Sequence, residues 1–201
     1  MIALMALIGA ITRLTESGLS ITQWQPVTGA LPPLNEAAWE RAFALYQQSP
    51  EFAHKHSWMS LADFKKIYFW EWLHRLWGRL IGLVYALPLL WFFIKKQIPA
   101  GYGKKLLFIL VLGFAQGFMG WYMVKSGLVD RPSVSHYRLA AHLGLALLIF
   151  ALTWKTALQL KSPAAPQPPS LTGHGHLVLT LIALTILWGA FTAGLDAGMI
   201  Y

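Results

Sequence analysis

The chain has 201 residues, of which 56% are hydrophobic and only 12% charged, and it carries a formal charge of +8. This composition, with ten Trp and a positive mean hydropathy, is that of a polytopic membrane protein and excludes an ordinary water-soluble domain. The basic balance does not point to nucleic acid, because Lys95, Lys96, Lys104, Lys105, Lys155 and Lys161 flank apolar spans, which is a topology signal, and with no Cys there is no disulfide, thiolate ligand or iron–sulfur centre.

The first apolar run, Met1 to about Leu14, is shorter than the roughly 20 residues of a full span. It has no basic leader and no cleavage site after it, so it does not read as a signal peptide. Either the helix continues through Arg13 or the chain begins inside a longer protein; the second reading is preferred. Residues 15–67 form a long polar connection containing Pro26, Pro32 and Pro33. Within it the pattern predicts a short amphipathic helix over Glu36–Tyr46 with Asn35 as N-cap, and a second short helix starting at Ser60 with Asp63 completing a capping box.

Four further apolar segments follow, at about 68–94, 106–124, 139–159 and 177–195. Their lengths suit transmembrane helices, which satisfy their own backbone groups in lipid. Ser162–Ser170, rich in Pro and Ala, reads as a flexible linker. Lysines in the 95–105 loop and near 160–175 place those segments inside, with 15–67 and 125–138 outside. Gly9-Ala10-Ile11-Thr12 recurs as Gly189-Ala190-Phe191-Thr192, and Glu16-Ser17-Gly18 as Asp196-Ala197-Gly198, both at an offset of 180 residues. Chance similarity between Gly/Ala-rich helices is the bland alternative. The expected fold is all-α. A four-helix transmembrane bundle occupies 1–160, with 15–67 as its outer loop. An inner linker follows at 161–175, and 176–201 is the first helix of a second, repeat-related bundle.

The second span opens with charge: Glu71, His74, Arg75 and Arg79 all fall in its first third. Charge in a membrane helix costs several kcal/mol unless it is paired or liganded, so the cluster is a candidate site. A second intramembrane histidine, His142, lies near the start of the fourth span. At about 1.5 Å per residue both histidines lie roughly 6–9 Å below the outer boundary, a level at which two imidazoles can clamp a haem iron. The alternative is a pair of hydrogen-bonded structural histidines. Glu71 shares a helix face with His74 and Arg75. It is either a simple ion-pair partner of Arg75, or a carboxylate near a porphyrin edge that takes protons or stabilises positive charge. Arg75, Arg79 and Arg138 are candidates for haem propionates, with interfacial snorkelling as the alternative. Gly113, Gly117 and Gly120 form a small face suited to close helix packing. His54, His56, His136, His174 and His176 lie in loops or at span ends and are not expected to be ligands.

These motifs resemble those of the haem A synthase family. The resemblance rests on Thr12-Arg13-Leu14-Thr15-Glu16-Ser17-Gly18-Leu19-Ser20-Ile21, followed by Trp24, Pro26, Gly29 and Pro32-Pro33. It rests also on Glu71-x-x-His74-Arg75-Leu76-Trp77-Gly78-Arg79, on Gln116-Gly117-x-x-Gly120-Trp121-x-Met123-Val124-x-Ser126-Gly127-Leu128, and on Tyr137-Arg138-Leu139-Ala140-x-His142-Leu143. It is strongest to the cysteine-free branch of alphaproteobacteria and mitochondria.

The resemblance implies eight spans in two pseudo-symmetric four-helix bundles, each with a histidine pair. It implies oxidation of the C8 methyl of haem O to a formyl group by two hydroxylations and loss of water. Haem O is then the substrate of the N-terminal bundle, with His74 and His142 as its ligands and Glu71 as the essential carboxylate. A haem b is expected in a C-terminal half absent from this chain. Residues 1–201 alone are thus expected to bind at most one haem and to make no haem A. Implied partners are membrane lipid, haem O synthase, terminal oxidase assembly factors and another copy of the chain. The bacterial inner membrane is the expected location, the mitochondrial inner membrane the alternative. A bis-histidine membrane cytochrome that only passes electrons is the competing class, and dispensability of Glu71 would favour it.

Overall fold

The structure is a computed structural model that describes residues 1–25, 27–128, 132–161 and 169–197. Regular structure among these residues is helical throughout: α1 Ile2–Leu14, α2 Glu36–Tyr46, α3 Leu61–Ile94, α4 Gly103–Gly127, α5 His136–Lys161 and α6 Pro169–Gly194. A 3₁₀ turn at Thr28–Ala30 and a π-helical turn at Phe52–His56 interrupt the outer connection.

Helix α2 begins where its cap predicts. Asn35 is extended, and its Oδ1 accepts from the Ala38 N–H at 2.9 Å. The Ser60–Asp63 capping box also forms, but it does not open a separate short helix. From Leu61 the chain runs unbroken for 34 residues to Ile94, because no Gly or Pro intervenes before Gly78. At about 1.5 Å per residue this helix is about 51 Å long, well beyond the ~30 Å hydrocarbon core. Its first turns therefore belong to the outer region. Pro88 sits inside α3 without ending it, as membrane helices tolerate. The other spans extend a few residues past their apolar runs. Helix α6 already includes 169–175, which the linker expectation had covered, while 162–168 lie outside the described residues.

Among the described residues, four helices are long and apolar enough to cross a membrane: Leu61–Ile94, Gly103–Lys125, His136–Lys161 and Thr172–Gly194. Leu83, Leu87, Leu90, Trp91 and Phe93 on α3 are exposed, as are Leu177, Leu179 and Leu181 on α6. Surfaces of this kind need lipid rather than water, and the chain is an integral membrane protein.

The chain forms two compact units. The first, Met1–Ile98 with Gly117–Val134, packs α1, α2 and the 3₁₀ turn against α3. Its core is aromatic: Tyr46 and Phe64 are fully buried and stacked at 5.2 Å, with Trp39, Phe43, Phe52 and Tyr68 around them. The second, Pro99–Gln116 with Ser135–Tyr201, is centred on the α5–α6 pair, where Ala140, Ile149 and Ala190 are buried. Gly194 is required there. A Cβ on it would lie 2.6 Å from the His136 Cβ and 2.7 Å from the His136 Cα, so α5 and α6 meet backbone to backbone at this end.

Candidate functional site

The segment after α1 folds over the charged stretch of α3, and Glu71 is what holds it there. Glu71 is only 2% exposed. Its Oε2 accepts from the Ser20 hydroxyl and from the Ile21 N–H, each at 2.7 Å. Its Oε1 accepts from Arg75 Nη2 at 2.6 Å, and the same Nη2 donates to the Ile21 carbonyl at 3.0 Å. The Trp24 ring covers the Arg75 guanidinium at 5.7 Å. The simple Glu71–Arg75 pair weighed from sequence is thus present, but it is one part of a clamp. All three contacts to Glu71 are donors, the set a carboxylate anion accepts. Three donors leave one of the carboxylate's four lone-pair sites, on Oε1, for a further donor.

Neighbouring residues of the same motif bind the rest of this cover and the start of α1. Trp72 Nε1 donates to the Ala30 carbonyl at 3.0 Å, Trp77 Nε1 to the Met1 carbonyl at 3.2 Å, and Arg79 Nη2 to the Gln25 carbonyl at 3.0 Å. Arg75 and Arg79 therefore serve the protein's own backbone, a role not foreseen for them. Each guanidinium has five N–H donors, so these contacts do not use either one up.

His74 lies one turn beyond Glu71, its ring against α1. A Cβ at Gly9 would come within 3.2 Å of His74 Nε2 and 3.6 Å of its Cδ2. The missing side chain at Gly9 makes the room for the imidazole. Thr12, one turn along α1, is buried and its hydroxyl lies 3.4 Å from the Trp70 carbonyl, which fixes α1 beside this part of α3.

His142 and Arg138 are on α5, in the second unit, one turn apart. His142 meets Gln116 of α4, whose Nε2 is 3.3 Å from His142 Nε2 and donates to the His142 carbonyl at 3.1 Å. His142 Nδ1 and Gln116 Oε1 are both buried without a hydrogen-bond partner among the described residues.

A second polar cluster lies in the outer region and was missed from sequence. Tyr46 OH is 2.6 Å from His56 Nδ1 and donates to Glu51 Oε2 at 3.0 Å. His56 Nε2 lies 3.4 Å from Glu16 Oε2, and Lys55 Nζ pairs with Glu16 Oε1 at 2.7 Å. Burial pushes the Glu51 carboxyl up to about 8, although the Tyr46 hydroxyl partly opposes it, and burial likewise raises the Tyr46 phenol. Burial also acts to raise Glu16, but the hydrogen bond and charge of Lys55, with His56, outweigh it and hold Glu16 below its ordinary value. These partners are 5–40 positions apart, so no local pattern announced them. His136, by contrast, packs on Gly194 and Phe191, while His174 and His176 are exposed on α6.

The whole chain, residues 1–201, matches the COX15-CtaA family, described as cytochrome oxidase assembly protein. It is similar to a protein named Heme A synthase from Rhodospirillum centenum, 57% identical over 204 residues that cover 100% of this chain and 54% of that protein. Proteins of the same name from Mesorhizobium japonicum and Parvibaculum lavamentivorans are 52% and 48% identical, covering 98% and 100% of this chain and 54% and 59% of theirs. The chain thus spans little more than half the length of these curated relatives. No solved structure matches it. A match along its full length means that the chain belongs to the COX15-CtaA cytochrome oxidase assembly family.

Proposed function

We propose that the protein containing this chain is a haem A synthase that oxidises the C8 methyl of haem O to a formyl group. The observation that carries the reading is Glu71. A carboxylate fixed by three donors, one turn before a histidine inside a membrane helix, is more elaborate than a passive electron carrier needs. Relatives at 48–57% identity named Heme A synthase support the same reading.

In this proposal His74 and His142 hold the iron of haem O. The residues fit such a ligand: both are imidazoles, and His142 would bind through Nε2, which meets the neutral Gln116 amide rather than a charged group. Haem O brings the iron and the reacting methyl. Glu71 supplies a fixed negative charge that favours developing positive character nearby, and through the remaining Oε1 lone pair it can also accept a proton. Arg75, Arg79 and Arg138 offer guanidinium donors to the propionates, beyond those already used by the backbone. The membrane is the bacterial plasma membrane, with the mitochondrial inner membrane as the alternative. The haem b site and any contact with haem O synthase or oxidase assembly factors belong to the whole protein. Residues 1–160 form the substrate bundle and 176–201 begin its repeat, a division supported by the recurrence of local structure at an offset of 180 residues.

The second reading, a bis-histidine cytochrome, is favoured by one fact: the Glu71 oxygens are already engaged by protein donors. The two separate on product. Cells that make haem O but lack haem A should form haem A, detected by mass, when they express the full-length protein. Haem-loaded protein with no haem A would leave the cytochrome.

A further inference from the structure

Gln116 approaches the very nitrogen of His142 that is proposed to bind iron. The His142 carbonyl, at 3.1 Å from Gln116 Nε2, can only accept, so the amide must present its NH₂ group to His142. The second N–H of that group faces His142 Nε2 at 3.3 Å. The imidazole therefore accepts at Nε2 and carries its proton on Nδ1. Among the described residues that Nδ1 has no acceptor and Gln116 Oε1 has no donor.

An imidazole nitrogen has one lone pair in the ring plane. It cannot accept from an amide and bind iron at the same time. We infer that Gln116 is a displaceable cap on His142. In the haem-free protein it keeps the Nε2 lone pair formed and unprotonated, and it must let go when iron binds. Its hold on the His142 carbonyl keeps the amide nearby, ready to close again after product leaves. Gln116 is thus a positioning residue that acts on the substrate through His142, and the inference rests on the proposed ligand role of that histidine.

A cap competes with its ligand, so removing it must tighten binding. In the full-length protein Gln116→Leu should bind haem O about 2–10-fold more tightly, which is the worth of one net hydrogen bond. Its low-spin absorption spectrum should be that of the parent. Gln116→Asn, whose amide is too short to reach Nε2, should shift affinity in the same direction and carries the test if the Leu variant does not fold. Unchanged or weaker haem O binding in a variant that melts like the parent would overturn the cap. His142→Ala is the control for the underlying reading: if it binds haem O with an unaltered spectrum, His142 is not a ligand and that reading fails first.

Discussion

Helix α1 ends at Leu14 and helix α6 at Gly194, and the two ends repeat each other at an offset of 180 residues. The Thr12 hydroxyl donates back to the Ile8 carbonyl at 2.9 Å, and Thr192 to Trp188 at 3.1 Å. Thr15 N–H reaches Ile11 O at 2.9 Å, and Leu195 N–H reaches Phe191 O at 3.0 Å. Glu16 and Asp196 then turn left-handed, with φ of 50° and 53°. Surroundings differ where backbones agree. Glu16 is held by Lys55 and His56, and Gly9 lies under His74, whereas among the described residues nothing lies within 4 Å of a Cβ position at Gly189. The helix ending is a property of local sequence; the site is a property of what packs on it. The two helix endings share their local geometry and differ in their neighbours among the described residues.

The comparison breaks most severely at the histidines. If α1 serves to seat an iron ligand, His74→Ala should remove the haem O contribution to the low-spin spectrum of the full-length protein, leaving that of haem b, and so should His142→Ala. Unchanged spectra from both variants would make Gly9 an ordinary packing glycine, no different from Gly189.

A smaller change tests the seat itself. Gly9→Ala would put a methyl 3.2 Å from His74 Nε2, so the ring must move. The overpacking cost is about 1–3 kcal/mol, set against a helix-propensity gain of about 1 kcal/mol. Haem affinity should fall. In this chain Gly189→Ala meets no neighbour and should leave melting unchanged or raise it. Equal effects at both glycines would contradict the difference drawn above.

The smallest effects concern the outer cluster that holds Glu16. Glu51 keeps its proton to about pH 8 when folded, against an ordinary value of 4.5, so the folded form binds more protons between these limits. Its contribution is fully present below about 4.5 and is lost as pH rises through about 8, a difference on the order of a few kcal/mol. Glu16 acts with the opposite sign, contributing above its ordinary 4.5 and losing that contribution as pH falls. Its side chain is 38% exposed, so its pairing with Lys55 counts for less than about 1 kcal/mol. Tryptophan fluorescence during unfolding should report a more stable outer region at acid pH than at pH above about 8. Glu51→Gln should flatten that slope.

Much of this molecule was legible in its residues. Apolar length located the spans, Asn35 and Ser60–Asp63 located helix starts, and charge at Glu71 and Arg75 marked the stretch of α3 where the clamp forms. The merger of the Ser60 helix with the span was hidden because Lys65 and Lys66 interrupt the apolar run without interrupting the helix. The clamp was hidden for another reason. Ser20 and Ile21 meet Glu71 across about 50 positions, and the contact to Ile21 is through a backbone N–H that any residue carries. Gln116 read as part of a motif, but its partner is 26 positions away on another helix. Tyr46 ends the amphipathic helix expected at Glu36–Tyr46 and His56 falls in the polar connection, and the aromatic core beside them explains their burial with Glu51.

The central claim is that the Glu71 carboxylate serves the oxidation of the haem methyl and does not merely fasten the loop. Glu71→Gln alone cannot separate the two, because the amide turns one acceptor into a donor facing Arg75 or Ile21. Ser20→Ala removes one clamp contact and leaves the charge. The decisive measurement is chromatography of the haems extracted from both purified full-length variants, with haem content as reference. Haem content should stay near the parent's in both. Ser20→Ala should still yield haem A, while Glu71→Gln should yield about 10²–10⁴-fold less and accumulate haem O or a hydroxylated intermediate. Normal haem A from Glu71→Gln, or equal losses of haem and haem A in the two variants, would contradict the claim and leave Glu71 as a fastener.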